Sequence, residues 1–165
     1  MVKALSIIFL FSSFIFSEEE AKKYISWKEH VIDDSTSGPK DLEGSDGLVM
    51  ADLDKDGYLD VISVHELDTQ YGVPEGYVRI AWGSKNPFEW TSTTLASGSE
   101  APSAEDVDVA DADGDGWLDI VVACELAHLI YFKNPTKGHR EVRWERTIPE
   151  STLNRGSFIR VFFSD

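Results

Sequence analysis

Two stretches of this chain are copies of each other, and that restricts its folding more than any other feature. Residues 48–67 (LVMADLDKDGYLDVISVHEL) and 107–126 (VDVADADGDGWLDIVVACEL) align without a gap at a constant offset of 59 residues. Ala51 falls on Ala110, Asp52 on Asp111, Gly57 on Gly116, Leu59 on Leu118 and Glu66 on Glu125. A unit of this length cannot bury its apolar face alone, so successive copies must stack and share a core.

The similarity runs beyond these blocks. Upstream of each loop lies a strand-like segment led by Trp, at 27–32 (WKEHVI) and 90–95 (WTSTTL), and a third copy at 144–148 (WERTI) comes late in the chain. Polar linkers bearing Gly and Ser follow at 33–46, 96–105 and 149–157 and read as loops. The final segment, 158–165 (FIRVFFSD), aligns Val161 with Val107, Phe163 with Val109 and Asp165 with Asp111. Trp90 precedes Asp111 by 21 residues, and Trp144 precedes Asp165 by 21. The expectation is two full repeats plus the start of a third, cut at the first residue of its loop at 165.

Hydrophobic alternation with period two precedes each loop, at 48–51 and 106–109, and marks half-buried strands. Short β-branched runs follow at 61–64 and 120–122, then third strands at 77–82 (YVRIAW) and 129–132 (LIYF), each ending near an Asn-Pro turn. The Trp-led segment comes fourth. Four short strands in a unit of about 55–60 residues predict an all-β chain of four-stranded antiparallel β-propeller blades. With two units and a fragment the propeller is incomplete, because a ring takes at least four blades.

The loops themselves are 52–60 (DLDKDGYLD) and 111–119 (DADGDGWLD), with carboxylates at positions 1, 3, 5 and 9. Calcium is a hard cation that takes six to eight oxygen ligands. A tight turn brings alternate side chains onto one ion, so the expected ligands are Asp52, Asp54, Asp56 and Asp60 in the first loop and Asp111, Asp113, Asp115 and Asp119 in the second. Tyr58 and Trp117, at position 7, are expected to add backbone carbonyls. Gly57 and Gly116, at position 6, permit the left-handed turn that closes the loop. Magnesium fits less well because it demands stricter octahedral geometry, and zinc prefers His or Cys, of which neither loop has any. A metal-free Asp-Gly hairpin needs one Asp, not four mutually repelling carboxylates in nine residues. Nor is this an EF-hand, which places a Glu at position 12 where Ser63 and Val122 stand.

DxDxDGxxD between two short strands, followed by Leu-Asp-Val/Ile, resembles the FG-GAP/VCBS repeats of integrin α-subunit heads and of many exported bacterial proteins. Residues 52–61 and 111–120 carry the resemblance, and it covers essentially 27–165. It implies blades of a seven-bladed propeller with calcium in the hairpins. The Phe-Gly and Gly-Ala-Pro signatures that name the family are not evident here.

Composition and termini narrow the function. A net charge of −15 repels nucleic acid and anionic membranes. Lys3, an uncharged run at 4–16 and then Glu18, Glu19 and Glu20 read as a signal peptide over 1–17, too short for a spanning helix. The mature chain, 18–165, is thus expected to be secreted, periplasmic or on the cell surface, without a membrane span. The single cysteine, Cys124, sits in an apolar run and reads as a small buried hydrophobe. Glu66 and Glu125 form a carboxylate pair in the sequence, but equal repeat positions are expected to lie apart in separate blades. His30, His65, His128 and His139 show no ligand spacing, and no nucleophile elbow or P-loop is present. Trp27, Trp90 and Trp144, at a repeated position, are expected to pack rather than to stack on sugars. The expected role is a non-catalytic binding or scaffold module with two calcium ions and a protein or glycan ligand. The alternatives are a propeller accessory to, or part of, a carbohydrate-active enzyme, and a cell-adhesion head.

Overall fold

The computed structural model describes residues 28–33, 38–39, 42, 45–67, 74–153 and 155–164. The signal peptide expected at 1–17, Trp27 and Asp165 lie outside them.

Among the described residues eight strands form two sheets, each a four-stranded antiparallel meander. The first holds β1 (Ser45–Ala51), β2 (Asp60–Leu67), β3 (Glu75–Trp82) and β4 (Thr91–Gly98). The second holds β5 (Ala104–Ala110), β6 (Asp119–Cys124), β7 (Leu129–Lys133) and β8 (Glu145–Thr147). Strand order follows chain order in both. The Asp-rich loops are the β1–β2 and β5–β6 hairpin connections, pairing Ala51 with Asp60 and Ala110 with Asp119. The architecture of the described residues is all-β, as the sequence predicts for incomplete propeller blades, with one three-residue 3₁₀ turn among them at Glu150–Thr152. Among the described residues no helix is long and apolar enough to cross a membrane.

The sheets share one apolar core. The first supplies Ile62, Val64, Val78, Ile80 and Trp82, and the second Val107, Ile120, Val122, Cys124, Ile130, Phe132 and Trp144. The choice of residues defines how the units stack. Val61 aligns with Ile120 and Ile62 with Val121, yet Ile62 and Ile120 are in the core while Val61 and Val121, though buried, are not. Opposite faces of equivalent strands therefore meet, as they do when blades follow one another in the same sense. Gly47 makes the approach possible: a Cβ there would lie 2.7 Å from the Cα of Asp106. A packed side chain cannot occupy that gap.

The Trp-led strands begin one residue after their Trp, at Thr91 and Glu145. Trp144 is buried in the core, its indole N–H donating to the His139 carbonyl at 3.0 Å. Trp90 is half-buried and donates to the Pro87 carbonyl at 3.0 Å. The earliest copy differs, since residues 28–32 form no strand. They nevertheless lie against the first sheet, with His30 Nδ1 3.2 Å from the Pro87 carbonyl and Asp33 paired with the buried Arg79. The segment 158–164 likewise forms no strand. It runs beside β5, the N–H groups of Val161 and Phe163 donating to the carboxylates of Asp106 (3.0 Å) and Asp108 (2.7 Å). Side chains take the place of a backbone ladder there.

Candidate metal centre

Each loop is built on its own carboxylates. In the first, Asp52 accepts the N–H groups of Asp56 (3.1 Å) and Gly57 (3.0 Å), Asp54 accepts that of Asp56 (3.3 Å), and Asp56 accepts that of Tyr58 (2.9 Å). In the second, Asp111 accepts Gly116 N–H (2.9 Å), Asp113 accepts Asp115 N–H (3.1 Å), and Asp115 accepts Trp117 N–H (2.9 Å). These side-chain-to-backbone bonds wind the chain around a common centre, the usual behaviour of Asp in turns. Position 6 has φ of 91° at Gly57 and 89° at Gly116, the left-handed region that glycine enters without a Cβ penalty.

Position 9 behaves differently. Asp60 and Asp119 are fully buried. Asp60 accepts N–H groups from Leu53 (2.9 Å) and Gly83 (2.9 Å), and Asp119 accepts them from Ala112 (3.2 Å) and Asn134 (2.8 Å). Each carboxylate thus ties the start of its loop to the end of the third strand. Burial pushes the Asp60 carboxyl up to about 6, against the lowering effect of its two N–H donors and with help from Asp54 and Asp56. Asp119 has a third donor, the Tyr131 hydroxyl at 2.8 Å, where the first unit has Ile80. Burial, and then the bond to Asp119, hold the Tyr131 hydroxyl above its ordinary range.

Carboxylate oxygens converge in both loops. Asp52, Asp54 and Asp60 bring theirs within 4.8 Å of one another, as do Asp111, Asp113 and Asp115. Asp56 and Asp119 lie outside these two groups. The donor set is all hard oxygen, which suits calcium and not a soft metal. Tyr58 and Trp117 stand where a carbonyl would be offered, with their N–H groups fixing position 5.

Cationic residues that the sequence did not single out also reach the loops. Lys133 pairs with Asp113 and lies 3.6 Å from Asp115. Its ammonium holds the Asp113 carboxyl below the usual range. Arg140, from the β7–β8 loop of the second unit, crosses to the first loop, 2.7 Å from Asp54 and 3.0 Å from Asp56. Lys55 crosses the other way, donating to the Gly116 carbonyl at 2.7 Å and lying 4.1 Å from the Trp117 ring centre. The loops are therefore neighbours on one rim. Buried Asn134 joins them, its side-chain amide donating to the carbonyls of both Leu53 and Leu118 at 3.0 Å. Sequence spacing marked Asn134 only as a turn residue and carried no signal for Arg140 or Lys133.

Glu66 and Glu125 do not lie apart. With Glu105 they bring carboxylate oxygens within 4.8 Å of one another. The expectation fails because β5 packs on both β1 and β2, which sets Glu105 between the ends of β2 and β6. Burial and then Asp46, Glu66 and Glu125 raise the Glu105 carboxyl above its usual range. Cys124 is buried as expected, and burial pushes its thiol up to about 12.

Tandem antiparallel meanders, stacked in one sense, each with an Asp-rich hairpin on the same rim, define a β-propeller-like repeat module. Residues 52–122, from the first residue of the first loop to the middle of β6, match the FG-GAP-like repeat. No curated protein and no solved structure matches the chain.

Proposed function

We propose that this protein is an exported calcium-binding repeat module, acting as a non-catalytic binding or scaffold element for a protein or glycan ligand. One observation carries the calcium reading: both units place three carboxylates within 4.8 Å at equivalent loops. Clustered charges of one sign repel, and a divalent cation relieves that repulsion. The ion neutralises the cluster and pins the hairpin. Asp52 and Asp54 with Asp60, and Asp111 and Asp113 with Asp115, would hold the two ions. Position 9 then also latches the loop to its third strand, whether or not it ligates. The export part of the reading rests on the basic, apolar and acidic sequence at 1–20.

Calorimetric titration of the purified chain with calcium chloride tests this. Two sites are expected, with Kd of about 10⁻⁴–10⁻³ M, the range of extracellular modules. A hundredfold excess over Kd stabilises the fold by about 2.7 kcal/mol per site, so EDTA should lower the melting temperature. No heat of binding together with an unchanged melt would overturn the reading.

A further inference from the structure

Arg140 belongs to the second unit but spends its charge on the first. Its Nε donates to Asp54 at 2.9 Å, and a terminal nitrogen lies 2.7 Å from the same carboxylate and 3.0 Å from Asp56. The guanidinium lies 5.2 Å from the ring centre of Trp82, and the Arg140 carbonyl accepts the Thr93 hydroxyl at 3.3 Å. Three elements of the first unit thus grip a residue of the second. The other loop is served differently. Lys133 stands at the repeat position of Trp82 and reaches Asp113 from within its own sheet.

We propose that Arg140 sets the affinity of the first loop, as a tethered cation that competes with calcium for Asp54 while anchored on the neighbouring Asp56. The inference rests on the calcium reading above. A guanidinium bound to a ligand oxygen occupies lone pairs the ion needs, and it repels a second cation. Coupling is reciprocal: whatever Arg140 costs calcium, calcium costs the Arg140 contact. Filling the first loop therefore loosens an ionic tie between the sheets. Filling the second loop loosens only a contact inside one sheet.

The test compares the full chain with R140Q, R140K and K133Q, by calcium titration and by melting in EDTA and in saturating calcium. R140Q should tighten one of the two sites about fivefold, the upper end for a partly exposed ion pair. It should also melt lower than wild type in EDTA, and this deficit should vanish in saturating calcium, where the tie is already broken in the wild type. K133Q should tighten the other site. If R140Q does not fold, R140K, which keeps the charge and the stem but loses the fork, should still tighten the first site measurably. Unchanged or weaker calcium binding in the Arg140 variants, or an equal melting deficit in both conditions, overturns the proposal. A wild-type chain that takes up no calcium overturns instead the reading on which it rests.

Discussion

The carboxylates of Asp60 and Asp119 are buried, and their partners are mostly backbone amides, those of Leu53 and Gly83 for Asp60 being buried as well. Removing Asp60 leaves two buried donors without that partner, at about 1–3 kcal/mol each. Asp60→Ala should therefore cost about 3 kcal/mol in urea denaturation even with EDTA present, because the latch does not depend on an ion. A loss confined to calcium-containing buffer would show that position 9 serves only the metal. Glu105 gives a prediction of opposite sign. Its carboxyl is raised in the folded state, so the fold holds that proton more tightly than the unfolded chain does. The group's contribution is best below the unfolded value and is lost as pH rises through the folded one. Glu105→Gln should thus raise the melting temperature at pH 7, by about 0.5 kcal/mol of stability given its partial exposure, and the gain should shrink toward zero at pH 4. A destabilising effect at pH 7 would mean that the neighbouring carboxylates do not repel it.

Loops and their flanking strands were the legible elements. Asp at alternate positions with Gly at position 6 is a pattern that only a loop wound around its own carboxylates uses; period-two alternation located β1 and β5, and short β-branched runs located β2 and β6. Gly116→Ala tests the turn: with φ at 89° a Cβ is strained, and a cost of about 1–2 kcal/mol is expected by thermal melting. Contacts made across the unit boundary were not legible. Asn134 joins to Leu53 over 81 residues and Arg140 to Asp56 over 84, and no local spacing records such a pairing. The first unit has Gly83 where the second has Asn134, and a Cβ at Gly83 would lie 2.2 Å from the Leu59 carbonyl oxygen. Asn134→Ala should cost about 2 kcal/mol in chemical denaturation, since two carbonyls on separate loops lose their common donor. A neutral outcome would show that the rim is held together by Lys55 and Arg140 alone. The same blindness misplaced Glu66 and Glu125, whose meeting depends on where β5 packs.

Among the described residues, most buried apolar side chains form one cluster at the junction between the sheets. On the far side of the first sheet, Ser63, His65 and Arg79 stand at the positions that Val122, Cys124 and Ile130 occupy in the shared core. Among the described residues the first sheet therefore has no second apolar face of that quality and depends on the shared junction, so the two units should unfold together. Urea denaturation followed by tryptophan fluorescence and by far-ultraviolet circular dichroism should give coincident single transitions. Two separated steps would show units that fold independently. The glycine at the first junction has one more effect. At position 47 the innermost strands touch backbone to backbone, whereas the aligned residue at the next junction is Asp106, whose side chain holds residue 161 at arm's length. In a fan of sheets, the gap at the hub fixes the angle between neighbouring vanes. A bare hub contact opens a wide wedge, and a propped one narrows it. The spacing at the hub therefore turns on one side chain per repeat, absent at Gly47 and present at Asp106.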